Sequence, residues 1–119
     1  MIIEVVLLST TDEVRNVDVP QAEVDVIHAP LGTVAYKEAL CDRAFLWGQN
    51  DFQPRRMPSV SVGDVVILKR SEPDTDGEWH DLFRVASVGF DKLTRAEFEE
   101  YKKLGKVNRV RHAYGFGDL

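Results

Sequence analysis

Two β-rich runs, Ser59–Arg70 and Trp79–Phe90, flank the polar stretch Ser71–Glu78, SEPDTDGE. β-Branched and aromatic residues bounded by turn formers read as strands. Two such runs across a short polar loop predict a β-hairpin. Within the first run, Val65-Val66-Ile67-Leu68 has no polar residue. An unbroken apolar run of this kind indicates a strand buried on both faces. Gly63-Asp64, directly before it, marks a bend or bulge.

The rest of the chain arranges itself around that hairpin. Ile2–Leu8 is rich in β-branched residues and predicts a first strand. Ser9–Val19 is polar, ends at Pro20 and reads as a connection. Glu23–His28 alternates, with Val24 and Val26 opposite Asp25 and Ile27, and predicts a second strand closed by Pro30 and Gly32. Thr33–Trp47 predicts a helix with Thr33 as N-cap and Gly48 as terminator. Its apolar side holds Val34, Cys41 and Phe45, with Tyr36, Leu40, Ala44 and Trp47 beside them; Lys37, Glu38, Asp42 and Arg43 lie opposite. Gln49–Pro58 has no periodicity.

Leu93–Gly105 carries the clearest local signal. Thr94 and Glu97 have the spacing of a capping box, and Leu93 and Phe98 stand at the two staple positions. Phe98, Tyr101 and Leu104 form the buried stripe, and Gly105 sits where a C′ glycine belongs. In the tail, Lys106–Leu119, the alternation K-V-N-R-V-R predicts a last strand. The expected fold is α+β: a curved, mostly antiparallel sheet, or a small barrel, with two short packed helices. At 119 residues the chain fits one domain, 1–119, large enough to bury a core without staples.

Cys41 is the only cysteine, so neither an internal disulfide nor a multi-cysteine zinc site is available. The apolar start, MIIEVVLLSTTDE, is too short to span a bilayer and lacks the basic region of a signal peptide. These features predict a cytoplasmic protein with no membrane partner. The net charge of −5 is unevenly spread. Lys102, Lys103, Lys106, Arg109 and Arg111 face only Asp118 after residue 100, a balance of +4 that leaves −9 for the first hundred residues. An acidic body repels nucleic acid, whereas a basic tail attracts it.

No catalytic constellation stands out. His28, His80 and His112 have no ligand-type neighbours at metal spacing. Asp74–Gly77 resembles a fragment of a calcium loop, but the closing Glu is missing and a plain turn explains it better. Cys41 falls on an apolar helix side, where a thiol behaves as a small hydrophobe. Neither a G-x-S-x-G elbow nor a phosphate-cradling glycine loop occurs. No cofactor, metal or catalytic residue is assigned. Two surfaces remain as candidates. Phe52, Arg55, Arg56 and Trp79 are residue types enriched in protein-binding hot spots. Lys102, Lys103, Lys106, Arg109 and Arg111, mixed with aromatics, suit a nucleic-acid surface.

The hairpin also carries a family likeness. Ser59-Val60-Ser61-Val62-Gly63-Asp64-Val65-Val66 resembles the S-[LV]-S-V-[SG]-D-V-V stretch of YodL-like domains. Phe83-Arg84-Val85-Ala86-Ser87-Val88-Gly89-Phe90 resembles their Y-Y-V-D-S-x-G-F strand, with Ala86 in place of the usual Asp. The helix with Glu38–Phe45 and the following Asp51-Phe52 sit at similar distances, so the likeness covers residues 37–90. Such domains occur in proteins of phages and mobile genetic elements. The resemblance implies a non-enzymatic accessory protein that binds and modulates a host protein. A weaker likeness, through V-G-D-x-V and the short helix that follows, is to PUA-like barrels of the ASCH kind. It implies nucleic-acid binding through the basic tail, although the G-x-K-x-x-E-x-R motif is absent.

Overall fold

The computed structural model describes residues 1–49 and 58–115. Five strands form one open antiparallel sheet: β1 (Ile2–Val6), β2 (Val14–Asp18), β3 (Val65–Lys69), β4 (His80–Val85) and β5 (Phe90–Leu93), in the order β2-β1-β3-β4-β5. The barrel alternative is thereby replaced by an open sheet with β2 and β5 as its edges. Four helices complete the fold: α1 (Gln21–Asp25), α2 (Val34–Trp47), α3 (Arg95–Lys103) and α4 (Lys106–Ala113).

β3 lies mid-sheet, as its unbroken apolar run demands. Val66 and Leu68 face one side, where Ile3, Val5, Val17 and Phe83 meet Leu40, Cys41 and Ala44 of α2. Val65 faces the other, where Val6, Leu82 and Leu93 meet Phe98 and Tyr101 of α3. Each face thus has its own core, one under α1 and α2, one under α3. Both predicted helices form with the caps their sequences carry. The Thr33 hydroxyl accepts the Tyr36 N–H. Thr94 and Glu97 make both bonds of the capping box, at 3.1 and 2.9 Å.

Five segments differ from the sequence reading. Of the run Ser59–Arg70 only Val65–Lys69 is a strand; Ser59–Asp64 is loop and turn, because the chain bends at Gly63. Val14–Asp18 is a strand, not a connection; its inward position opposite Val5 is taken by Arg15, which hid the alternation. Gln21–Asp25 is a helical turn instead of part of a strand, because Gln-Ala-Glu favours helix and Val24 and Ile27 pack at a helical spacing of three. The run Trp79–Phe90 is two strands joined by a turn, in which the Ala86 N–H bonds the Gly89 carbonyl and Val88 is 91% exposed. The tail is helix α4, not a strand, and its burial inverts the alternation: Val107 is exposed, while Arg109 and Ala113 are buried.

The Gly63-Asp64 bend is where both layers meet. Asp64 is fully buried, and its two carboxylate oxygens accept the N–H groups of Ser9 and Ser61, each at 2.8 Å. Its backbone continues the ladder to Val85. Gly63 has φ +100°, and a Cβ there would stand 3.3 Å from the Tyr101 hydroxyl. That hydroxyl donates to the Gly63 carbonyl, tying α3 to the bend, and lies 3.3 Å from the Arg109 carbonyl. Burial pushes the Tyr101 phenol up to about 12, so it remains a donor at neutral pH.

Asn supplies one acceptor where two N–H groups need one each, so Asp64→Asn is expected to cost about 1.5–3 kcal/mol. Tyr101→Phe is expected to cost about 1 kcal/mol for the lost hydrogen bond. Urea unfolding followed by circular dichroism checks both; a loss for Asp64→Asn no larger than that for an exposed loop variant such as Asp76→Asn would contradict this assignment.

Candidate functional site

The loop end of the β3–β4 hairpin holds a second buried carboxylate of a different kind. Asp81 lies on β4 opposite Leu68, and it shares the α2 face with Phe83 and Val85. A carboxylate on that apolar side requires partners, and the fold brings three. Lys37 of α2 lies 2.9 Å away, Arg70 just beyond β3 lies 3.2 Å away, and Lys92 of β5 lies 3.4 Å away. The Asp81 side chain is 2% exposed, whereas those of Lys37, Arg70 and Lys92 are 16, 24 and 52% exposed. Three cations on one anion leave the cluster with two positive charges in excess.

Burial opposes ionisation of Asp81, but the hydrogen bond from Lys37 and the charges of Lys37, Lys92 and Arg70 outweigh it and hold the carboxyl below its usual range. Asp64 goes the other way: burial raises it, and the N–H donors of Ser9 and Ser61 recover only part of the difference.

Clefts open on both sides of Asp81. One, of about 370 Å³, lies between the start of α2 and the end of β3; Lys37 and Arg70 stand over Asp81, and Leu31, Tyr36, Leu40 and Leu68 supply apolar walls. Leu31 is 82% exposed on its rim. The other, of about 410 Å³, is acidic: Asp74, Asp76 and Glu78 face Lys92 and Arg95. The SEPDTDGE loop is a turn, as its composition suggests. One Asp74 oxygen accepts the N–H groups of Asp76 and Glu78, each at 2.9 Å, and Gly77 has φ +79°.

The residues singled out from sequence fall in different places. Phe52, Arg55 and Arg56 lie outside the described residues. Trp79 is half-exposed beside the hairpin ladder, where its carbonyl accepts the Arg70 N–H at 2.7 Å. Lys102 and Lys103 pair with Glu99 and Glu100 along α3. Arg109 is inside: Nη1 reaches the Leu8 carbonyl and Asp12, and Nη2 reaches the Lys102 carbonyl. Lys106 and Arg111 are exposed on α4. The Cys41 thiol is buried, and burial first, then Asp42, Glu38 and Asp81, push it far above the range in which it ionises.

Sequence reasoning missed the Asp81 cluster. A signal existed: in His80–Val85, Asp81 occupies an inward position with Phe83 and Val85, and a charge at a core position implies a partner. Among the described residues, no three His, Cys, Asp or Glu side chains stand together as metal ligands, and no helix is long and apolar enough to cross a membrane. No family model matches the chain, and neither a curated protein nor a solved structure does.

Asp81→Asn leaves three cations around a neutral group. It is expected to cost about 2–3 kcal/mol at pH 7, below the roughly 3–5 kcal/mol of fully enclosed pairs, because these cations reach water. The folded-state value of Asp81 is depressed, so its contribution is complete above the ordinary Asp value of about 3.9 and is lost as pH falls below it. The difference in unfolding free energy between wild type and Asp81→Asn is therefore expected to hold steady from pH 7 to 5 and to shrink towards pH 3.

Proposed function

We propose that this chain is a binding domain that acts without chemistry: a cytoplasmic accessory protein of a phage or mobile element that occupies the surface of a host protein. The observation that carries this reading is the hairpin end. There, exposed apolar side chains, Leu31 and Trp79 among them, stand near Lys37 and Arg70, whose positions are set by a buried carboxylate. Aromatic and arginine side chains dominate binding hot spots, and a charged group already held in place loses little freedom on binding. The YodL-like pattern of Ser59–Val66 and Phe83–Phe90 supports the mobile-element setting by resemblance.

A nucleic-acid reading through the basic C-terminal segment has less behind it. Of its five cations, Arg109 is committed to the fold and Lys102 and Lys103 are paired, which leaves Lys106 and Arg111 as exposed charges on α4. Two cations neutralise few phosphates, and affinity for nucleic acid scales with that number.

An affinity capture from nuclease-treated bacterial lysate tests the choice. The expected result is a stoichiometric protein partner that also binds the purified chain when itself purified. Recovery of nucleic acid alone from untreated lysate, with salt-dependent binding weakened by Lys106→Ala and Arg111→Ala, would replace the protein-binding reading with the second one.

A further inference from the structure

We propose that the 370 Å³ cleft over Lys37 and Arg70 receives a single carboxylate side chain of the partner protein, flanked by an apolar residue. This rests on the binding-domain reading and names the chemistry of what is bound. The cleft joins two kinds of wall. On its floor, Lys37 and Arg70 share Asp81, and the lining sets three cations, Lys37, Lys69 and Arg70, against two anions, Asp81 and Glu72, one positive charge in excess for an incoming anion to offset. Above it, Leu31 and Tyr36 offer apolar surface, and Leu31 is 82% exposed. An anion alone leaves that wall wet; an apolar group alone leaves the cations unmatched.

Charge layout selects among anions. The adjoining loop carries Glu72, Asp74, Asp76 and Glu78, with Glu72 on the cleft itself. A polyanion such as nucleic acid or a run of acidic residues meets that rim and is repelled. One Asp or Glu beside a Leu, Ile or Phe meets the cationic floor and the apolar wall, with Glu72 as its one acidic neighbour from the loop. Arg70 suits this role by geometry: Nε is held by the Glu72 carbonyl at 3.1 Å and Nη1 by Asp81, so the guanidinium plane is fixed before a ligand arrives. The volume fits one or two side chains, not a folded element.

The probe is a capped tripeptide of phenylalanine, glutamate and leucine, compared with the same peptide carrying glutamine. Both are titrated to 10 mM into the isotope-labelled chain, roughly the range in which a three-residue ligand binds. Expected are saturating amide shifts at Leu31–Leu40 and Leu68–Arg70, at least tenfold weaker binding of the glutamine peptide, and loss of binding in Arg70→Gln and in Leu31→Asp. Leu31 is so exposed that its replacement leaves the fold intact, which keeps the test valid if Arg70→Gln unfolds. Equal binding of the two peptides, shifts elsewhere, no shifts, or stronger binding of free acetate or an oligothymidylate to the same amides overturns the proposal. A host protein captured equally by wild type, Leu31→Asp and Arg70→Gln overturns the cleft assignment while leaving the binding-domain reading standing; capture of no protein at all overturns both.

Discussion

The fold hangs on one carboxylate that has no cation near enough to pair with among the described residues. Asp64 sits fully buried at the head of β3 and satisfies two backbone N–H groups, one from the turn after β1 and one from the loop before β3. Neither N–H has a strand partner, so without the carboxylate two half-buried donors would lose their bonds, each worth about 0.5–1.5 kcal/mol. The neighbouring Gly63 allows the chain to bend at φ +100° and presents its carbonyl to Tyr101 of α3. β1, β3, β4 and α3 therefore converge on two consecutive residues. The stretch Ser59–Val66 is explained by these duties: Ser61 donates its N–H, Gly63 bends, Asp64 accepts, and Val65 and Val66 go to opposite cores. A motif consumed by the fold reports the fold, and it leaves the binding surface to other residues.

Asp81 is the counterpart with the opposite chemistry. Both carboxylates are buried, but Asp64 is answered by peptide dipoles and Asp81 by full charges, and the two shift in opposite directions for that reason. Dipoles held by the backbone cost little to arrange and leave no net charge behind. Three cations around one anion leave an excess at the cluster, set against an acidic loop: Asp74, Asp76 and Glu78 share a cleft with Lys92, and Glu72 lines the one with Arg70. The surplus is what gives the hairpin end its character as a site.

Local signals in the sequence were legible where one element decides its own structure. The N-caps of α2 and α3 and the unbroken run of β3 each depend on residues a few positions apart, and each was read correctly; Gly105, read as the C′ glycine of α3, is instead the N-cap of α4 at φ −68°. Segments whose identity depends on distant partners were not. Arg15 occupies a buried strand position and so disguised β2; its Nη1 is satisfied by the Pro58 carbonyl, 43 residues on. Arg109 is buried on α4 because Leu8 and Asp12, about a hundred residues earlier, receive it. With that arginine counted as a surface charge, the tail looked like an alternating strand with a basic face. Asp81 left a signal in its inward position, but its partners were illegible for the same reason: Lys37, Arg70 and Lys92 share no spacing, and only helix packing and strand pairing bring them together.

That last point changes what net charge means for this chain. Summed along the sequence, the positive balance sits after residue 100, where Arg109 is buried against Asp12 and Lys102 and Lys103 pair at the surface with Glu99 and Glu100. Summed in space, a cluster of three cations lies in the acidic first hundred residues, beside the most acidic loop of the chain. A small cationic site inside an acidic surround attracts poorly at long range, because the screened field of the whole surface is negative beyond roughly 8–10 Å. It discriminates well at contact, where only a ligand small enough to avoid the surround meets the cations alone. Such a surface favours selectivity over rapid capture.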